Sequence, residues 1–74
     1  MNTKTITPIH VCDLIAHETV SLLSVLDEDA VPPAQWMRDG LALYAAAHQL
    51  EEETARHLNW IDDEIQRIRQ TAAG

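Results

Sequence analysis

Four histidines, a single cysteine and a surplus of carboxylates are the groups in this 74-residue chain that could do chemistry. His10, Asp13 and His17 fall at i, i+3 and i+7. A helix through them sets two imidazoles and a carboxylate on one face, a donor set suited to Zn²⁺. A catalytic zinc needs three well-placed ligands and a structural one usually four. The chain has no HExxH and no ExxH, since Glu53 and His57 stand at i, i+4. The plainer reading is a solvated polar stripe with a local Asp–His hydrogen bond. No cofactor is expected; His10, Asp13 and His17 remain the metal candidates, and a metal-binding helical protein the remote alternative.

Asp13, His17 and Ser21 run i, i+4, i+8, in the order of an acid, a base and a nucleophile. A triad also needs the nucleophile held against the base and an oxyanion hole. A regular helix consumes its own N–H groups, and side chains eight residues apart diverge from one reacting centre. No catalytic residue is therefore assigned, and the chain is not expected to be an enzyme. Cys12 falls on an apolar face with no basic neighbour in sequence, so it reads as a small buried hydrophobe. His48 reads as a rim residue and His57 as a partner for Glu53.

The carboxylates form two runs, Glu51-Glu52-Glu53 and Asp62-Asp63-Glu64. Their offset of eleven residues is close to three helical turns, which aligns them about 16 Å apart on one helix. Glu52–Arg56, Asp63–Arg67 and Glu64–Arg67 have the spacing of local ion pairs, while Glu51 and Asp62 have no such neighbour. The runs are either an ordinary solvated face or a negative surface that meets an Arg/Lys-rich protein site. Trp36 reads as a core residue against the first helix. Trp60 lies off the main apolar track, flanked by Ile and acids; it reads either as an interface anchor or as a residue that closes the dimer core.

Helices must position these groups. Thr7-Pro8 is a good helix start, a hydroxyl cap followed by proline where no N–H is needed. The first helix is predicted over 8–28, with His10, Asp13, His17, Ser21, Ser24 and Glu28 as a narrow polar stripe on an otherwise apolar rod. Asp27-Glu28-Asp29 and Pro32-Pro33 end it and turn the chain. The second helix is predicted over 33–71, with Pro32 outside it and Gly40 the one place where it could break; a break there would make a three-helix monomer possible in place of the dimer. Its apolar track is Trp36, Leu43, Ala47, Leu50, Thr54, Leu58, Ile61, Ile65 and Ile68.

At about 1.5 Å per residue the two rods span about 31 Å and about 57 Å. In an antiparallel hairpin the first covers the second only to about Thr54. Leu58, Trp60, Ile61, Ile65 and Ile68 then project, and each such side chain gains roughly 1.5–3 kcal/mol on burial. The expected fold is all-α, an antiparallel helical hairpin completed as a homodimeric helical bundle, with 1–7 a flexible N-terminus and 8–74 one helical domain. The expected partner-binding residues are Leu58, Trp60, Ile61, Ile65 and Ile68 with Glu51, Glu52, Asp62 and Asp63.

Length leaves room for one small domain. Five Lys plus Arg against twelve Asp plus Glu give a net charge of -7. That disfavours direct contact with nucleic acid or an anionic membrane and permits a cationic protein partner. A single cysteine, no apolar leader and no long apolar run predict a cytoplasmic protein without an anchor.

In overall profile, one compact acidic domain without a catalytic constellation, the chain resembles the small inhibitor proteins encoded by phages and mobile elements, anti-CRISPR proteins in particular. The resemblance covers general character along the whole chain and no residue motif, so it assigns no functional residue. It implies an inhibitor in the host cytoplasm that occludes a basic or subunit-contact surface of a nucleic-acid-handling complex such as a CRISPR effector. The alternative is a structural or regulatory homodimerisation module or accessory subunit.

Overall fold

The computed structural model of the chain describes residues 7–25 and 28–73, and it is all-α, with no strand among the described residues. Three α-helices follow one another: α1 Pro8–Leu23, α2 Val31–Ala47 and α3 Glu51–Ala73, with a 3₁₀ turn, Glu28–Ala30, leading into α2. Residues 1–6 of the expected flexible terminus, and Leu26 and Asp27 of the expected first helix, lie outside the described residues.

α1 starts where its cap predicts. Thr7 is extended and its hydroxyl accepts from the His10 backbone N–H at 3.3 Å, with Pro8 in the first turn. The helix stops at Leu23, short of the predicted Glu28. Ser24 tightens the end: its N–H donates to the Ser21 carbonyl at 3.2 Å and its hydroxyl to the same oxygen at 2.6 Å. A serine that serves a preceding carbonyl competes with helix propagation, and ending there keeps Glu28 and Asp29 out of the last turn, the negative end of the helix dipole. α2 begins at Val31, so both prolines lie inside its first turn, where backbone N–H groups need no partner.

The long second helix is broken, though not at Gly40, which sits inside α2. The break is at His48–Leu50. Gln49 takes a left-handed backbone with φ 58°. Its N–H donates to Ala46 O at 3.2 Å, and the Leu50 N–H reaches back to Ala45 O at 2.7 Å. That pair of bonds is the Schellman motif, which satisfies the last carbonyls of α2 and reverses the chain. Leu50 O then accepts from Thr54 N–H at 3.0 Å to start α3. Glu51, Glu52 and Glu53 fill the first turn of α3, where carboxylates favour the dipole.

This turn corrects the hairpin. α3 folds back on α1 and α2, so Ile61, Ile65 and Ile68 are buried within their own chain and do not project. Leu58 is half-buried against the same core. The core pairs small residues of α1 and α2 (Cys12, Ala16, Ala34, Ala45) with the isoleucines of α3 and with Leu23 and Leu41. Small facing side chains let α1 and α2 approach closely, which leaves the large ones to come from α3.

The track expected to face the core on α2 is therefore inverted. Ala34, Leu41 and Ala45 point inward, while Trp36, Leu43 and Ala47 point to solvent. The molecule is flat and elongated, 52 × 26 × 16 Å with a radius of gyration of 13.7 Å. A compact domain of this length has about 11 Å.

Candidate functional site

The α1–α3 seam gathers the ring-bearing and carboxylate groups. On α1, Asp13 and His17 are one turn apart; on α3, His57 and Trp60 are also one turn apart. His57 Nε2 lies 2.6 Å from Asp13 Oδ1. A carboxylate accepts, so Nε2 carries the hydrogen and the imidazole is fixed in orientation. The His17 ring lies 6.5 Å from that of His57, and it meets Trp60 edge-on at 5.9 Å and 84°. Trp60 keeps 39% of its surface exposed.

The predicted trio is thus only partly assembled. Asp13 and His17 share the seam, but Asp13 is taken by His57, a residue the sequence paired with Glu53. His10 is exposed outside this contact, and its backbone N–H serves the Thr7 cap. Among the described residues no group of His, Cys, Asp and Glu is placed to hold a metal ion. Asp13 bonds His57, not His17, so the order Asp13, His17, Ser21 does not form a relay. Chemically the seam offers an oriented imidazole beside a half-exposed indole. Cys12 is buried and free.

The acids divide. Glu51, Glu52 and Asp63 are exposed on α3. Asp62, expected to lack a partner, is held by Arg38 of α2 in a fork, Nε to Oδ1 at 3.0 Å and Nη2 to Oδ2 at 3.1 Å. That hydrogen bond to Asp62 raises the Arg38 pKa above its ordinary value; partial burial opposes the rise, and the charges of Asp62 and Asp39 add to it. Of the local pairs expected, Glu64–Arg67 forms at 2.9 Å.

A second surface was misassigned in the sequence. Trp36 and Leu43 are 75% and 73% exposed on the outer side of α2. They are seven residues apart, about 10 Å along the axis and nearly eclipsed in rotation. The signal that could have found them is a second apolar run on the same helix, Ala34, Leu41 and Ala45 at i, i+7 and i+11, which makes an equally good inward face. A helix that is apolar all round but covered on one side must show the other to solvent. No helix among the described residues is long and apolar enough to cross a membrane.

The chain matches no protein-family model, no curated protein and no solved structure.

Proposed function

We propose that the chain is a non-enzymatic protein-binding module that engages a cationic protein through the α1–α3 seam. The observation that carries this is Trp60: a part-exposed indole held edge-on by His17, whose neighbour His57 is itself fixed by Asp13. A large aromatic anchor held in one orientation loses little entropy on docking. Asp63 and Glu64 stand one turn ahead of it on α3 and the exposed Glu52 two turns behind, whereas Glu51, half a turn out of phase, leaves the set of contact residues. An Arg or Lys side chain can stack on the indole face while its neighbours meet these carboxylates. Ile61, Ile65 and Ile68 leave the set of contact residues because they are core.

The specific form of this reading is an inhibitor that covers a basic surface of a nucleic-acid-handling complex, with a CRISPR effector the first to assay. A photocrosslinker at the exposed Asn59 tests it in lysate and against purified effector nucleases. The expected result is capture that is lost on Trp60→Ala and falls at least tenfold at about 0.5 M salt. Capture indifferent to both changes overturns the reading.

A further inference from the structure

We infer that the α1–α3 seam carries its own pH-dependent competitor: on acidification the imidazole of His17 becomes a cation held against Trp60 and displaces the cationic partner. The inference rests on the reading of this seam as the docking site for a cationic protein. His17 is exposed, so it exchanges protons with solvent. Its ring centroid lies 5.9 Å from that of Trp60 with the planes at 84°, within the reach of about 6 Å at which an indole attracts a cation. Neutral, His17 makes an edge-to-face aromatic contact that fixes the indole. Charged, it offers Trp60 the same kind of ligand that an arginine or lysine of the partner offers. Histidine is the side chain whose ordinary titration falls between about pH 5 and 8, so the exchange of roles belongs to that window.

The groups around His17 make it the gate. On α1, Asp13 stands one turn before it, but that carboxylate is engaged by His57 of α3 at 2.6 Å. A proton gained by His57 is therefore balanced by a counter-charge in contact. His17 itself makes no ion pair among the described residues. His10 lies two turns back on the same side of α1, and Glu18 follows His17 on the side turned away from the seam. From α3, helical spacing aligns Glu53, His57, Trp60, Glu64 and Arg67 along the edge that meets α1. Glu64 is bonded to Arg67 at 2.9 Å, and Glu53 lies about 10 Å down the axis from Trp60. α2 gives its charges to the other seam, where Arg38 is held by Asp62 and lies beside Asp39. A charge on His17 therefore stands unneutralised where it meets Trp60. A second cation docked on that indole, roughly 6–10 Å from it, loses about two- to fivefold in affinity by repulsion alone in a water-like medium. Competition for the ring adds to this.

Two measurements on the full chain carrying Trp36→Phe provide the test. Trp36 is 75% exposed, and replacing one of the two tryptophans leaves Trp60 as the single indole. The first measurement is Trp60 emission from about pH 8 to about pH 5.5, a window above the ordinary carboxylate range. A charged imidazole in contact quenches indole emission, so the emission should fall along a titration curve that His17→Gln removes. His48→Gln, at a ring packed on Tyr44 at the end of α2, should leave the curve in place. The second is the Kd of a rhodamine-labelled hexa-arginine peptide, read by anisotropy over the same window. It should rise about fivefold on acidification, and His17→Gln should remove most of the rise while His48→Gln does not. The helical circular dichroism should stay constant throughout. Trp60 emission that is indifferent to pH, or that falls equally in His17→Gln, overturns the inference, as does a loss of helix that accounts for the fall. Peptide binding that is constant over the window overturns it too and leaves the docking reading standing. A peptide that binds at no pH, beside an intact Trp60 titration, overturns the docking reading and the gate with it.

Discussion

Arg38 and Asp62, twenty-four residues apart in sequence, are joined by two nearly parallel hydrogen bonds of 3.0 and 3.1 Å that lock α2 to α3 across the turn at Gln49. The fork is a bidentate guanidinium–carboxylate pair, the strongest geometry for such a contact. Both side chains keep some solvent, at 27% and 43% exposure, so screening limits the gain to about 1 kcal/mol. Arg38→Met should therefore lower the melting temperature by about 4–8 °C in a domain of this size. Arg38 has a raised pKa in the fold, so its contribution is full at every pH below the unfolded value. It is lost only as pH climbs through the still higher folded value. The deficit measured in urea should be the same at about pH 6 and about pH 9.

Gln49 is the residue that pays for the turn. A non-glycine residue in the left-handed region costs about 1–2 kcal/mol, and the position following a helix C-cap is where glycine is favoured. With φ at 58°, Gln49→Gly should stabilise the chain by about 1 kcal/mol, read as a higher urea midpoint at unchanged slope. A loss of stability would mean that the glutamine side chain contributes more than its backbone strain costs.

That same residue explains which part of the fold the sequence conceals. The all-α class and the start of α1 were legible, because Thr7-Pro8 is a strong local signal with one meaning. The turn at 48–50 was not, because a chain reversal is read from Gly or Asn and here the left-handed position holds Gln. The acids Glu51-Glu52-Glu53 were visible but were assigned to a continuous face; they mark a helix start instead. Once that break is missed, Ile61, Ile65 and Ile68 are left stranded, and only an external partner is there to cover them. Trp60 was singled out by its position off the apolar track, which survives the extra turn since it depends only on spacing within α3. The Asp13–His57 contact joins residues forty-four apart and depends on the missed turn, so no local pattern could announce it.

Thr54 sits at the start of α3, fully buried, and its hydroxyl has no hydrogen-bond partner among the described residues. Thr19, equally buried, donates to the Ile15 carbonyl at 2.7 Å. An unpaired buried hydroxyl costs about 1–3 kcal/mol, whereas a paired one is close to neutral. Thr54→Val keeps the shape and removes the unpaired group, so it should stabilise by about 1 kcal/mol. Thr19→Val, the control, should gain nothing, and denaturant melts of the two proteins side by side separate the cases.

Ile61 and Leu43 have side chains of similar size and opposite fates: the first is fully buried, the second 73% exposed. Truncating a buried isoleucine removes its transfer energy and leaves a cavity, a cost of roughly 2–5 kcal/mol. A 74-residue chain has roughly 4–11 kcal/mol of stability in all, so Ile61→Ala should leave the chain marginal or unfolded at room temperature. Leu43→Ala should change the stability of the dilute monomer by no more than about 0.5 kcal/mol. Dilution matters because any association through α2 would add apparent stability at higher concentration. Were Leu43→Ala the damaging change and Ile61→Ala the silent one, the inward and outward faces would be exchanged, and the continuous second helix with its projecting isoleucines would be restored.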